Sequence, residues 1–189
     1  MELAESAAVG GGLIQRNPCR IKGAGITKSA ERPVLTVEEV FAVADAIEGR
    51  YRAMVLLAAL TGMRFGELAA LQRRGVDLGG RFVQVRRAQA GPQSGKLEVK
   101  APKSEAGVRT VSFPASPVPE IKEHMRIFGE DGRAGLLFVN PKGGRLRRNN
   151  FHHTWTTAIE GAGLKGVHFH DFQHTGTAWP PPGAPPRGS

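Results

Sequence analysis

The sequence is poor in residues that carry several familiar kinds of chemistry. Its 189 residues include one cysteine, one tyrosine and two tryptophans. Cys19 alone makes no disulfide framework and no cysteine-ligated zinc site, which excludes the small, stapled, secreted class. No apolar run approaches the roughly 20 residues that cross a bilayer, so no membrane partner is expected. The start, Met1-Glu2-Leu3-Ala4-Glu5, is acidic where a secretory signal is basic and then apolar, so the expected location is the cytoplasm. There is no Gly-x-Ser-x-Gly elbow, no Walker-type or dinucleotide-binding glycine pattern, and no internal repeat of fixed period.

What the chain does have is positive charge. Lys and Arg total 26 against 17 Asp and Glu, a net +9. Excess cations attract a polyanion and give salt-dependent affinity for phosphates, which makes nucleic acid the leading partner. The alternative is a charge that only keeps the protein soluble. The length and the hydrophobic share of 40% fit one soluble domain with a short appendage.

Residues 1–32 are rich in Gly, Ala and small polar residues and read as a linker or the remnant of a preceding domain. Thr36-Val37-Glu38-Glu39 is a capping box, and Val37, Val40, Phe41, Ala44 and Ile47 then share a helical face expected to meet the core. Tyr51 to Leu60 is apolar nearly all round, which predicts a buried helix that Gly62 breaks. A short helix through Glu67 and Leu71 follows, leaving Arg64 at a helix-to-helix elbow. A guanidinium there must find an anion, either an internal carboxylate such as Glu67 or a ligand held in a cleft.

From Val76 the apolar period changes to two. The runs Phe82 to Arg87, Lys96 to Lys100 and Val108 to Phe113 alternate apolar with charged residues and predict a three-stranded antiparallel sheet. Lys103 falls in the loop before the last of these. Helical character returns from Pro119 to Phe128, and Leu136 to Val139 reads as a short extended run. Asn149 or Asn150 is then placed to cap a helix to about Glu160, with Phe151, Trp155 and Ile159 on one face. A last helix is expected near His170 and ends by Pro180. The fold class is therefore mainly α with a small antiparallel β-sheet, an α+β domain.

His168, His170 and His174 raise the question of a metal site. No Cys pair or Glu at zincin spacing completes a ligand set, and no metal or other cofactor is expected. Asp171, read as the first residue of the helix, is expected to serve its dipole. The remaining reading joins Arg64, Lys103 and His170 in one cleft for a phosphodiester whose charge grows during attack. Its bland counterpart pairs Arg64 with Glu67, leaves Lys103 in solvent and makes His170 a helix cap.

Three stretches bear on that choice: Thr61-Gly62-Met63-Arg64-Phe65-Gly66-Glu67-Leu68, Pro102-Lys103-Ser104 before a strand, and His170-Asp171-Phe172-Gln173-His174-Thr175. In order and spacing they resemble the catalytic domain of the tyrosine recombinase, or phage integrase, family over roughly Pro33 to Ala178. The resemblance implies that partners are double-stranded DNA and other integrase protomers. It implies that Arg64 and a second Arg grip the scissile phosphate, that Lys103 protonates the leaving 5′ oxygen, and that His170 assists proton transfer. A Tyr near the C-terminus of such enzymes attacks, without metal or ATP.

Two departures stand out. The second Arg position holds Gln173, a neutral amide with no fork. The only tyrosine, Tyr51, lies early in an apolar helix where a core role is expected. The sequence thus predicts an integrase-like catalytic domain over 33–178 that is catalytically defective as it stands, with Arg86, Arg87, Lys100, Arg147 and Arg148 as further phosphate contacts. The alternatives are a non-catalytic DNA-binding module and an unstable remnant of an integrase gene. The tail 179–189, rich in Pro and Gly, reads as a shifted frame; translation of the downstream nucleotides in the other frames is expected to reveal a Gly-His followed by a Tyr.

Overall fold

The computed structural model describes residues 34–90, 98–100 and 108–172. The chain divides at Arg32 and Pro33, and every described residue belongs to the second unit. Among the described residues five helices and five short strands succeed one another, in the order α1 Val37–Ala46, α2 Gly49–Thr61, α3 Phe65–Ala69, β1 Val76–Asp77, β2 Phe82–Val85, β3 Ala88–Ala90, β4 Glu98–Lys100, β5 Arg109–Ser112, α4 Val118–Ile127 and α5 Arg148–Gly161. Short 3₁₀ turns stand at Arg73–Gly75 and Phe169–Asp171. The expected α+β class is what forms.

The capping box does start α1: the Thr36 hydroxyl accepts from Glu39 N–H at 3.2 Å, and Glu39 Oε2 accepts from Thr36 N–H at 2.8 Å. The buried face is rotated from the expected one. Val40, Val43, Ala44 and Ile47 are buried, whereas Val37 and Phe41 remain 44% and 40% exposed. Helix α2 is buried without a break from Ala53 to Ala59, as its composition predicts, and it ends where Gly62 takes the left-handed φ of 62° that a side chain resists. One core cluster runs from these helices through Leu68, Phe113, Ile121 and Phe138 to Phe151, Trp155 and Phe172.

The expected single sheet is replaced by two. β1, β2 and β5 form a three-stranded antiparallel sheet, in which Val83 faces Val76 on one side and Val111 on the other. The run ending at Lys100 is not part of it. β4 pairs instead with β3 in a separate two-stranded ribbon, Gln89 opposite Val99. The break falls at the exposed pair Arg86-Arg87, beyond which the chain leaves the first sheet. Leu136 to Val139 is buried but belongs to none of these strands: it pairs through isolated bridges, Gln72 to Leu136 and Val139 to Arg145, and its Leu137 N–H donates to the Leu71 carbonyl at 2.8 Å. α5 begins at Arg148 with Arg147 as its cap, so Asn149 and Asn150 lie within the first turn rather than before it.

Candidate phosphate-binding site

The elbow before α3 is set by local sequence. The Thr61 hydroxyl donates to the Leu57 carbonyl at the end of α2, Gly62 reverses the chain, and Met63 is buried as an anchor. Arg64 then takes an extended conformation (φ −74°, ψ 152°) and caps α3. Its backbone N–H donates to Glu67 Oε2 at 2.8 Å.

The proposed pairing of the Arg64 side chain with Glu67 does not occur. Both Glu67 oxygens are gripped by the Arg109 fork, Nη1 to Oε1 at 2.7 Å and Nη2 to Oε2 at 2.8 Å. The Glu67 side chain is 8% exposed. Burial pushes its carboxyl up, but the Arg109 fork and the Arg64 N–H outweigh that and hold it below its ordinary range. Arg109 is itself held further toward the charged form by the same bonds. The Arg64 guanidinium is exposed, and among the described residues no carboxylate or carbonyl bonds it.

Phe65, the next residue, welds this elbow to the segment carrying His170. Its ring lies 5.9 Å from Phe169, edge to face, and 5.3 Å from Phe151. Phe169 in turn contacts Trp155 and Phe151, each at 5.1 Å, and Trp155 meets Phe172 at 5.0 Å. Trp155 Nε1–H also donates to the Val167 carbonyl at 3.0 Å, fixing the approach to the turn. Thus the residue after Arg64 and the residue before His170 are packed on one another. His170 is exposed at the middle of the 3₁₀ turn.

The cap roles in this turn differ from those expected. His168, not His170, is the cap residue, and Asp171 sits at the third position. Buried at 2% exposure, Asp171 accepts from His168 N–H at 2.7 Å, so it fixes the turn from inside rather than serving a dipole from the first position. Among the described residues no group of three or more His, Cys, Asp or Glu side chains is placed to hold a metal ion.

A second docking point lies at Gly66. A Cβ there would stand 2.5 Å from the Gln89 carbonyl oxygen, so only glycine lets the β3–β4 ribbon lie on the elbow. Gln89 Nε2 donates to the Leu146 carbonyl at 2.6 Å, tying the ribbon to the segment that leads into Arg147 and Arg148. The Arg148 guanidinium lies over the Phe65 ring, 5.4 Å from its centroid. The ribbon ends at Lys100, of which only the backbone is described; Lys103, Gln173 and His174 lie outside the described residues.

Arg86 and Arg87 line a groove together with Arg74 and Arg133. Two of these cations are held by neutral amides. Gln84 Oε1 accepts from Arg86 Nε and Nη2 at 3.1 and 2.8 Å, and Gln72 Oε1 accepts from Arg74 Nε at 3.0 Å. The carboxylate in the groove wall is Glu67, already taken by Arg109. Sequence reasoning missed Arg74, Arg109 and Arg133. Arg109 alternates with apolar residues as any wet-face strand residue does, and the loop arginines have no period at all.

The only tyrosine is a core residue. Tyr51 is 4% exposed, its ring meets Phe151 edge to face at 5.4 Å, and burial, with the adjacent Glu48 carboxylate, raises its pKa.

The family model for the phage integrase family matches residues 33–179. A prophage phiRv2 integrase of Mycobacterium tuberculosis is 38% identical over 168 residues, covering 87% of this chain and 44% of that protein. A XerC-like tyrosine recombinase of Caldanaerobacter subterraneus is 28% identical over 194 residues, covering 89% and 50%. The chain thus spans about half the length of the curated relatives it matches. Among solved structures, the Tn1549 transposon integrase in complex with a circular intermediate DNA superposes with a TM-score of 0.69 at 18% identity, covering 92% of this chain and 61% of that one. The XerA recombinase gives 0.59 at 25% identity, covering 79% and 50%.

Proposed function

Because the chain belongs to the phage integrase family, we propose that it binds duplex DNA as an integrase-like catalytic domain over 33–178, holds part of a phosphate grip, and makes no covalent link to DNA by itself. The observation that carries this reading is the unneutralised Arg64 guanidinium. The carboxylate three residues on, Glu67, is engaged on both oxygens by Arg109 and on one by the Arg64 backbone N–H, so the charge at the elbow stays available to an anion. A phosphodiester supplies that anion, and His170 on the adjoining turn stands on the same aromatic weld.

In this proposal Arg64 binds a non-bridging phosphate oxygen, His170 assists proton transfer, and Lys103 protonates the leaving oxygen. Gln173 replaces a second cation with a neutral amide, and losing one such donor costs about 10²- to 10³-fold in rate. Tyr51 cannot attack, since its hydroxyl belongs to a ring packed in the core. The groove of Arg74, Arg86, Arg87 and Arg133 supports a DNA-binding role that needs no chemistry, in which the protein occupies DNA beside a complete integrase protomer. The continuous core supports a stably folded module rather than an unstable remnant. In the same proposal residues 1–32 are a linker or the remnant of a preceding core-binding domain, and the protein acts in the cytoplasm.

The test is a nicked suicide DNA duplex incubated with the protein. Salt-sensitive binding with no covalent protein–DNA adduct is expected. An adduct refutes the inactive assignment, and binding indifferent to salt refutes the phosphate contacts.

A further inference from the structure

We infer that Arg109 is a positioning residue for Arg64: by occupying both oxygens of the buried Glu67 carboxylate, it keeps that carboxylate from capturing the Arg64 guanidinium and so leaves the guanidinium to bind phosphate. The inference rests on the phosphate-binding reading of Arg64 given above.

The geometry makes the competition unavoidable. Arg64 and Glu67 are three residues apart at the start of α3, where side chains are close neighbours. Glu67 already accepts the Arg64 backbone N–H, so the carboxylate cannot move away without uncapping the helix. A buried carboxylate requires a compensating cation. Two guanidiniums are within its neighbourhood, and both act on its charge. Arg109 takes the bidentate position from β5, whose register is fixed by pairing with β2, Arg109 opposite Val85. With the fork filled from the strand, the Arg64 side chain is left pointing to solvent.

The bland account of the same contact is an ion pair that fastens α3 to β5 and nothing more. The two accounts differ in what rescues the loss of Arg109. If Arg109 only fastens the fold, removing it lowers thermal stability and affects DNA binding without regard to residue 64. If it screens Glu67 from Arg64, neutralising Glu67 as well restores binding, because no anion is then left to compete. Glu67→Gln keeps one side-chain oxygen for the Arg64 N–H and removes the charge, the other oxygen becoming an NH2 donor that cannot bind a guanidinium.

The experiment measures the affinity of the full chain for a short fluorescein-labelled DNA duplex of mixed sequence, by anisotropy across a salt series, for R64A, R109M, E67Q, R109M/E67Q and R64A/R109M. Expected are a loss of about 10-fold for R109M, the size typical of coupled charges in one network, and a salt slope lowered as much as in R64A. R109M/E67Q is expected to return to within about 2-fold of the parent, and R109M is expected to add nothing in the R64A background. Additive losses for R64A and R109M, or no rescue by E67Q, overturn the inference while leaving the Arg64 site standing. An R64A protein that binds like the parent overturns the site itself, and the inference with it. Should R109M fail to fold, R109M/E67Q decides: binding near the parent supports the inference, and a loss as large as that of R64A overturns it.

Discussion

The arginines of this protein are held in two different ways, according to where they stand. Along the helical side, around α1, α2 and α4, most of the bonded guanidiniums meet carboxylates: Arg52 bonds Asp45 and Glu120, and Arg126 bonds Glu123, while Arg50 lies over the Phe128 ring. Around the elbow and the first sheet, Arg109 apart, they meet amides, rings and carbonyls instead. Arg86 leans on Gln84, Arg74 on Gln72, Arg148 on Phe65, and Arg73 on the carbonyls of Glu130 and Met125. A neutral partner orients a cation without cancelling its field, so the second group retains the charge that attracts phosphate. The carboxylate at the elbow is spent on Arg109, which leaves Arg64 with the uncancelled group.

If the elbow is held by rings rather than by ion pairs, its largest vulnerability is an aromatic one. Phe151 touches Tyr51, Phe65, Trp155 and Phe169 and is 3% exposed. Phe151→Ala is expected to cost about 3–5 kcal/mol and to separate the Arg64 elbow from the His170 turn. Urea unfolding gives the first number. A cost below about 1 kcal/mol, typical of an exposed ion pair, breaks the contrast between the two regions.

Next in size is the ribbon's docking point. Gly66→Ala forces a methyl to within 2.5 Å of the Gln89 carbonyl, and overpacking of this kind costs about 1–3 kcal/mol. Because the obstacle is backbone, relief requires the β3–β4 ribbon to move off α3. Expected are a lower midpoint in urea and weaker DNA binding in the same variant. Unchanged stability shows that the ribbon does not rest on the elbow as described.

These two positions show how much of the site was legible in the sequence. The motif around Arg64 marks the elbow, and Thr36, Gly62 and the apolar run of α2 place the helices, because each signal is local. The reason for glycine at 66 was not legible: it lies in the backbone of Gln89, 23 positions away and in a strand that the alternation pattern did not mark. Alternation says which face of a strand is wet but not which strand lies beside it, so β4 read as part of the first sheet. The Arg109 fork has the same origin. Its partner is 42 residues distant, and nothing near Arg109 distinguishes it from a solvated strand residue.

A pH experiment sharpens the comparison from the helical side. His124 on α4 is 3% exposed between the rings of Phe128 and Phe138, with Nε2 2.8 Å from the Leu137 carbonyl. Among the described residues its Nδ1 has no partner. Burial drives its pKa below the ordinary value and outweighs the Leu137 carbonyl and the Glu120 carboxylate, which favour the protonated ring. The folded pKa is thus below the unfolded one, so the unfolded chain binds more protons as pH falls and stability declines once pH drops below about 6.5. Glu67, also lowered, contributes stability that is present above its unfolded pKa and is lost as pH falls through the lower folded value. Two acid phases are therefore expected, and His124→Gln removes the earlier one. A stability profile in which His124→Gln leaves the earlier decline in place contradicts this assignment.

The smallest expected effect on stability is also the most direct trial of the comparison. Arg52→Gln and Arg86→Gln each remove one positive charge from the protein's surface. Arg52 is part of a partly exposed pair, worth about 0–1 kcal/mol, and Arg86 leans on a neutral amide, so urea unfolding is expected to separate the two variants only slightly. DNA binding is where they part. Arg52 is cancelled by Asp45 and Glu120, and its removal leaves those carboxylates, so any change in long-range attraction is uniform and screened. Arg86 faces a groove with Arg74, Arg87 and Arg133, and losing one phosphate contact there lowers the salt slope by about one. Equal slopes for the two variants mean that the manner in which an arginine is held does not decide which arginines meet DNA. Unequal slopes, with only Arg86→Gln shallower than the parent, mean that it does.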